Sequence, residues 1–185
     1  MPILLLLLLL LAGCPDESGR QCPPNTDVVG NYALKFTAQH DAGNECIAID
    51  PDGGPPVALA VDPPFEKPVT LCAASASDGG KQLQLVSPGK GRKTSDLLPD
   101  GGFHFTGDPV PQGQTTACIC DVNIMETIDG YLLAGGPFAL RPDGGLPLIT
   151  GMTATLVDLV TDGGTATGCR CTFPCTVTYS LSGSL

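Results

Sequence analysis

Nineteen acidic against nine basic side chains give this chain of 185 residues a net charge of −10. A phosphate backbone would repel it, so nucleic acid is excluded as the expected partner. Its 24 Gly and 18 Pro argue against long helices, while plentiful Thr, Val, Ile and Leu argue against disorder.

The first feature in chain order is an apolar run, Ile3 to Ala12, containing the eight consecutive leucines Leu4 to Leu11. At about 1.5 Å per residue such a run reaches about half the hydrocarbon core of a bilayer, too short for a stop-transfer span. It reads as the apolar centre of an export signal. Leu11-Ala12-Gly13-Cys14 closes the run, and this segment resembles the lipobox of bacterial lipoproteins. The resemblance implies residues 1–13 as a signal peptide removed by signal peptidase II. It further implies a diacylglycerol thioether on Cys14, acylation (palmitate) of the new amino group, and a membrane anchor through the N-terminal lipid. Met1-Pro2-Ile3 departs from the pattern, since it lacks the Lys or Arg of a secretory leader. Asp16 stands third in the mature chain, not second, which within the resemblance points to the outer membrane.

Residues 14–28 read as the lipidated cysteine and a polar tether broken by Pro15, Pro23 and Pro24. Residues 29–185 are expected to form a single domain. Besides Cys14 the chain has Cys22, Cys46, Cys72, Cys118, Cys120, Cys169, Cys171 and Cys175. An even set in an exported chain is expected to pair as disulfides, in a connectivity the sequence leaves open. Cys118-Ile119-Cys120 and Cys169-Arg170-Cys171 are too tightly spaced for the usual zinc knuckle, so no metal is expected there, and no cofactor.

Period-2 alternation begins at Gly30, with Tyr32, Leu34, Phe36 and Ala38 on one side. Comparable runs follow at 46–49, 57–61, 69–73, 82–86, 103–106, 116–128, 131–140, 152–160 and 169–181. In the last run Val177, Tyr179 and Leu181 share a face. These runs predict an all-β fold, an antiparallel sandwich or barrel of about eight to ten short strands stapled by disulfides.

The punctuation is Asp-Gly-Gly, at Asp52, Asp78, Asp100, Asp143 and Asp162. Asp-Gly supplies the positive φ that hairpin loops need, and Asp129-Gly130 is expected to turn a hairpin from about Thr116 to Leu140. Lys90, Arg92 and Lys93 read as a solvated turn, because the ending of a phosphate loop is missing. Asp50 and Asp52 could suit calcium, but turn chemistry accounts for every Asp-Gly-Gly copy.

Catalytic signals are sparse. His104, between Phe103 and Phe105, should face outward on a strand. His40 stands beside Asp41, and neither a nucleophile elbow nor a zinc-helix motif accompanies it. The expected function is thus non-enzymatic: a lipid-anchored cell-envelope module with a binding or structural role and an unassigned protein or small-ligand partner. Gly30-Asn31-Tyr32 opening the first strand is similar to the start of lipocalin-like barrels. That similarity implies the alternative of a carrier for a small hydrophobic ligand, and a hydrolase of unknown type comes third.

Overall fold

The computed structural model describes residues 21–39, 45–48, 54–58, 65–77, 79–88, 91–114, 121–164 and 171–185. All regular structure among them is extended: β1 (Asp27–Gln39), β2 (Ile47–Ala48), β3 (Val57–Ala58), β4 (Phe65–Ser75), β5 (Lys81–Ser87) and β6 (Gly91–Asp96), then β7 (Gly102–Thr106), β8 (Val110–Gln114), β9 (Asp121–Ala134), β10 (Ile149–Asp162) and β11 (Cys175–Ser184). β2 and β3 pair only with each other; the rest form one sheet in the order β6-β5-β4-β1-β11-β10-β9-β7, with β8 also on β9. Its pairings are antiparallel, and the sheet curls into a nearly closed barrel.

Closure falls between β6 and β7. Leu97 bridges Phe103, Leu98 N donates to Gly102 O at 2.8 Å, and His104 N donates to the hydroxyl of Ser95 at 2.8 Å. Ser95 is buried, so its hydroxyl replaces a ladder carbonyl where the two backbones diverge. Losing it would leave a buried N–H unpaired at a cost of about 1–3 kcal/mol. β7 and β8 are two halves of one wall strand, since Thr106 lies opposite Thr127 and Val110 opposite Ile124. At the break between them Gly107 N donates to Glu126 O at 2.9 Å, and Lys93 reaches Glu126 at 3.2 Å. Arg92 and Lys93 therefore belong to β6 and not to a solvated turn. Register places Lys93 beside inward-facing Leu85, and only 19% of its side chain is exposed.

The alternation read from the sequence builds the interior. Tyr32, Leu34 and Phe36 are buried, as are Val177, Tyr179 and Leu181 on β11. Phe36 meets Tyr179 edge to face at 6.2 Å. Together with Leu71, Leu83, Phe105 and Met152 they fill the barrel axis among the described residues, each contributing about 1.5–3 kcal/mol by leaving water.

Asp129-Gly130 does not turn. Both residues lie inside β9, opposite Thr155 and Ala154 of β10. The glycine is there for space: a Cβ would sit 2.3 Å from Thr153 O, 2.5 Å from Ala154 Cβ and 2.7 Å from Phe103 Cζ. β9 ends at Ala134, so the run expected to continue to Leu140 stops short, and its beginning at 116–120 lies outside the described residues.

Asp-Gly-Gly does turn. In Leu98-Pro99-Asp100-Gly101-Gly102 the fourth residue donates to the first carbonyl (2.9 Å) and the first donates to the fifth (2.8 Å). Arg141–Gly145 repeats both bonds at 2.8 Å, and Ala76–Gly80 repeats them at 3.1 and 2.9 Å. Gly79, Gly101 and Gly144 all have φ near +80°, the conformation of a three-residue hairpin loop with a glycine bulge. Asp100 and Asp143 each accept the N–H of the second glycine through Oδ1, at 3.0 and 2.8 Å. That bond, with Arg141 behind it, holds the Asp143 carboxyl below its usual range.

Two complete disulfides lie among the described residues, Cys22–Cys72 and Cys46–Cys175, and Cys171 is disulfide-bonded as well. The first ties the segment before β1 to the outer face of β4, and the second fixes residues 45–48 to the start of β11. Their sequence separations of 50 and 129 correspond to about 4–5 kcal/mol each in the chain-entropy limit. Such bonds fit an oxidising compartment. Cys14, Cys118, Cys120 and Cys169 lie outside the described residues.

Gly130→Ala should destabilise the barrel by about 1–3 kcal/mol through overpacking against β10 and Phe103, read as a lower urea midpoint. Tyr32 offers a second measurement. Its hydroxyl is buried without a hydrogen-bond partner, and burial pushes its pKa up from 10.0 to about 12. The unfolded chain releases this proton first, so stability present below pH 10 should decline between pH 10 and about 12. Tyr32→Phe should flatten that decline and cost little at neutral pH, as thermal unfolding across the range will show.

Candidate functional site

β7, β9 and β10 lie side by side, and their outward-facing residues form polar rows across the wall. One row runs His104, Asp129, Thr155, Ser180 and Thr37, each opposite the next in register. Strand alternation decides this: Phe103 and Phe105 are buried, so His104 between them must point out.

His104 is the centre of the row. Its Nδ1 stands 2.5 Å from Asp129 Oδ1 and its Nε2 2.8 Å from Thr106 Oγ1. With Nδ1–H donating to the carboxylate, Nε2 is the lone-pair side of the neutral ring and the threonine hydroxyl donates to it. This acid–imidazole–hydroxyl order is the polarity of a nucleophile relay. The surroundings differ from those of a relay site, because the His104 and Asp129 side chains are both 60% exposed. Water competes for each bond, and neither desolvation nor a low dielectric sharpens the nucleophile.

Beside this row lies an open groove of about 570 Å³ on the outer wall. Tyr131 and Leu98 form one lip, both near Gly102, where an added Cβ would come within 3.3 Å of either. His104 and Asp129 form the other, and Thr153, Thr155 and Ser180 line the floor. Tyr131 is 54% exposed, so the groove offers one aromatic face, a carboxylate, an imidazole and several hydroxyls. It can hydrogen-bond a polar ligand while stacking on one apolar edge of it.

The outward His104 was legible from its neighbours, but its pairing with Asp129 and the exposure of Tyr131 were not. Both follow from the course of β9 past residue 130, which the Asp-Gly signal hides. His40, Asp50 and Asp52 lie outside the described residues. Among the described residues no group of three or more His, Cys, Asp or Glu could hold a metal ion. Comparison with protein-family models and curated proteins gave no match to the sequence, and comparison with solved structures gave none either.

Because the His104–Asp129 pair is exposed, Asp129→Asn and His104→Ala should each shift stability by less than about 1 kcal/mol in urea titrations. Either variant can then report on binding at the groove without a folding defect.

Proposed function

We propose that this chain is a bacterial lipoprotein, exported and anchored through lipid on Cys14. Its barrel acts as a non-enzymatic module that displays the His104–Asp129–Tyr131 groove to a ligand in the cell envelope, on the outer membrane. The observation that carries the display reading is the division of the wall. The inward faces pack a filled apolar axis, while the polar groups that could recognise something converge on an open outer face. The lipobox residues Leu11 to Cys14 support the anchor, and the disulfides support an oxidising compartment.

A second reading is the lipocalin-like carrier, favoured by the nearly closed antiparallel barrel and by Gly30 beneath the Tyr32 ring. Tyr32, Leu34, Phe105 and Met152 occupy the space a cargo would need, so carriage would require them to move. The Asp129–His104–Thr106 order gives a hydrolase its one supporting observation, and their exposure weighs against it.

Intact mass of the protein from its native host, before and after reduction, tests the anchor and the pairing together. The expected species begins at Cys14, carries acyl groups, and exposes its eight remaining cysteines only after reduction. An unacylated chain that keeps residues 1–13 would reverse the proposal. Cys14→Ala should move the protein from the membrane fraction to the soluble one.

A further inference from the structure

The charge around the outer groove narrows what it can hold. Among the described residues none that lines it is Lys or Arg, while Asp129 stands on one lip. Asp100 stands beside the other, its Oδ1 and the Tyr131 ring both within 3.3 Å of the point where a Gly102 Cβ would lie. With a net charge of −10 on the chain, a phosphate, sulfate or carboxylate ligand meets only repulsion there. An apolar ligand fares no better, because it would take water from the exposed hydroxyls of Thr153, Thr155 and Ser180 on the floor and return no hydrogen bond.

Strand geometry sets the spacing of the groups that remain. Tyr131 and Asp129 lie two residues apart on β9, about 7 Å, and Thr153 and Thr155 stand opposite them on β10, about 4.8 Å away. The four mark the corners of a rectangle that one hexopyranose ring with its hydroxyls would cover. In a gluco-configured ring the hydroxyls are equatorial, so C–H groups cover both faces and oxygens line the edge. One face can then lie on Tyr131, which is 54% exposed, while the edge meets the threonines and the carboxylate. His104 fixes that carboxylate through Oδ1, leaving Oδ2 to accept a strong bond from a sugar hydroxyl.

We propose that the groove binds a neutral β-1,4-linked glycan, stacking one ring on Tyr131 and hydrogen-bonding it through Asp129, Thr153 and Thr155. The inference rests on the display reading of this wall and gives it a ligand class. A groove of about 570 Å³ has room for more than one ring. The β-1,4 linkage keeps successive rings extended, as an open groove along a wall requires, whereas an α-1,4 linkage coils the chain.

Cellohexaose, chitohexaose and the coiled maltohexaose are titrated into the full disulfide-bonded chain by isothermal calorimetry, with spermidine as a cationic probe. Cellohexaose or chitohexaose should bind saturably, and maltohexaose at least tenfold more weakly. Tyr131→Ala and Asp129→Asn should each weaken that binding about tenfold, and Tyr131→Phe should retain it. Urea midpoints check that each variant is folded, and Asp129→Asn keeps the test decisive if Tyr131→Ala is not. No binding of either β-linked hexasaccharide at millimolar concentration, binding that neither variant weakens, or equal binding of maltohexaose would overturn the glycan assignment. Spermidine bound in their place, and lost in the same variants, would overturn it too while leaving the displayed groove standing. Hexasaccharides that bind at the groove and come back shortened would uphold the glycan and overturn the non-enzymatic reading.

Discussion

A rolled sheet is only as stable as the line along which its two edges meet, because every unpaired N–H or C=O there must find a partner or face water. In this barrel that line lies between β6 and β7, and it is made largely by side chains and turn contacts. Ser95 accepts from the His104 amide, Leu97 bridges Phe103, and Lys93 reaches past Gly107 to Glu126. The filled axis and the outer groove follow from this closure. Without it Phe103 and Phe105 would lose the β6 side of the wall they pack behind, and the His104 amide would lose its partner on Ser95.

The same closure explains which parts of the fold could be read in the residues alone. Tyr32, Leu34 and Phe36 alternate because β1 has one wet and one dry face, and that pattern survives in any antiparallel wall. β6 has no such pattern: Arg92-Lys93-Thr94-Ser95-Asp96 is polar throughout, since Lys93 and Ser95 point inward to do the work of closing. β8, in Val110-Pro111-Gln112-Gly113-Gln114, is hidden by its proline and glycine, as an edge segment with an irregular register can be. The aspartyl-glycine pair at residue 129 was misleading for a physical reason. Glycine serves tight turns and close approaches alike, and which one applies depends on Phe103 and Ala154, distant in sequence. The candidate site inherits that blindness: His104 pointing outward is local information, and Asp129 waiting for it is not.

The chain also separates its tasks along the barrel. Exposed apolar side chains concentrate at the end where β1 and β10 begin, and polar ones gather on the wall of β7, β9 and β10. The Cys22–Cys72 bond holds the segment before β1 against the outer face of β4.

The repeated five-residue loops bear on how such a protein ages. Among aspartyl bonds, one followed by glycine is the most prone to close into a succinimide, since glycine leaves its nitrogen unhindered as it attacks the carboxyl carbon of the side chain. At Asp100 and Asp143 that step is restrained, because Oδ1 is already held by the amide of the second glycine. The bond that shapes each hairpin thus slows the isomerisation of its own backbone, and a sequence that on paper looks chemically fragile becomes durable once folded.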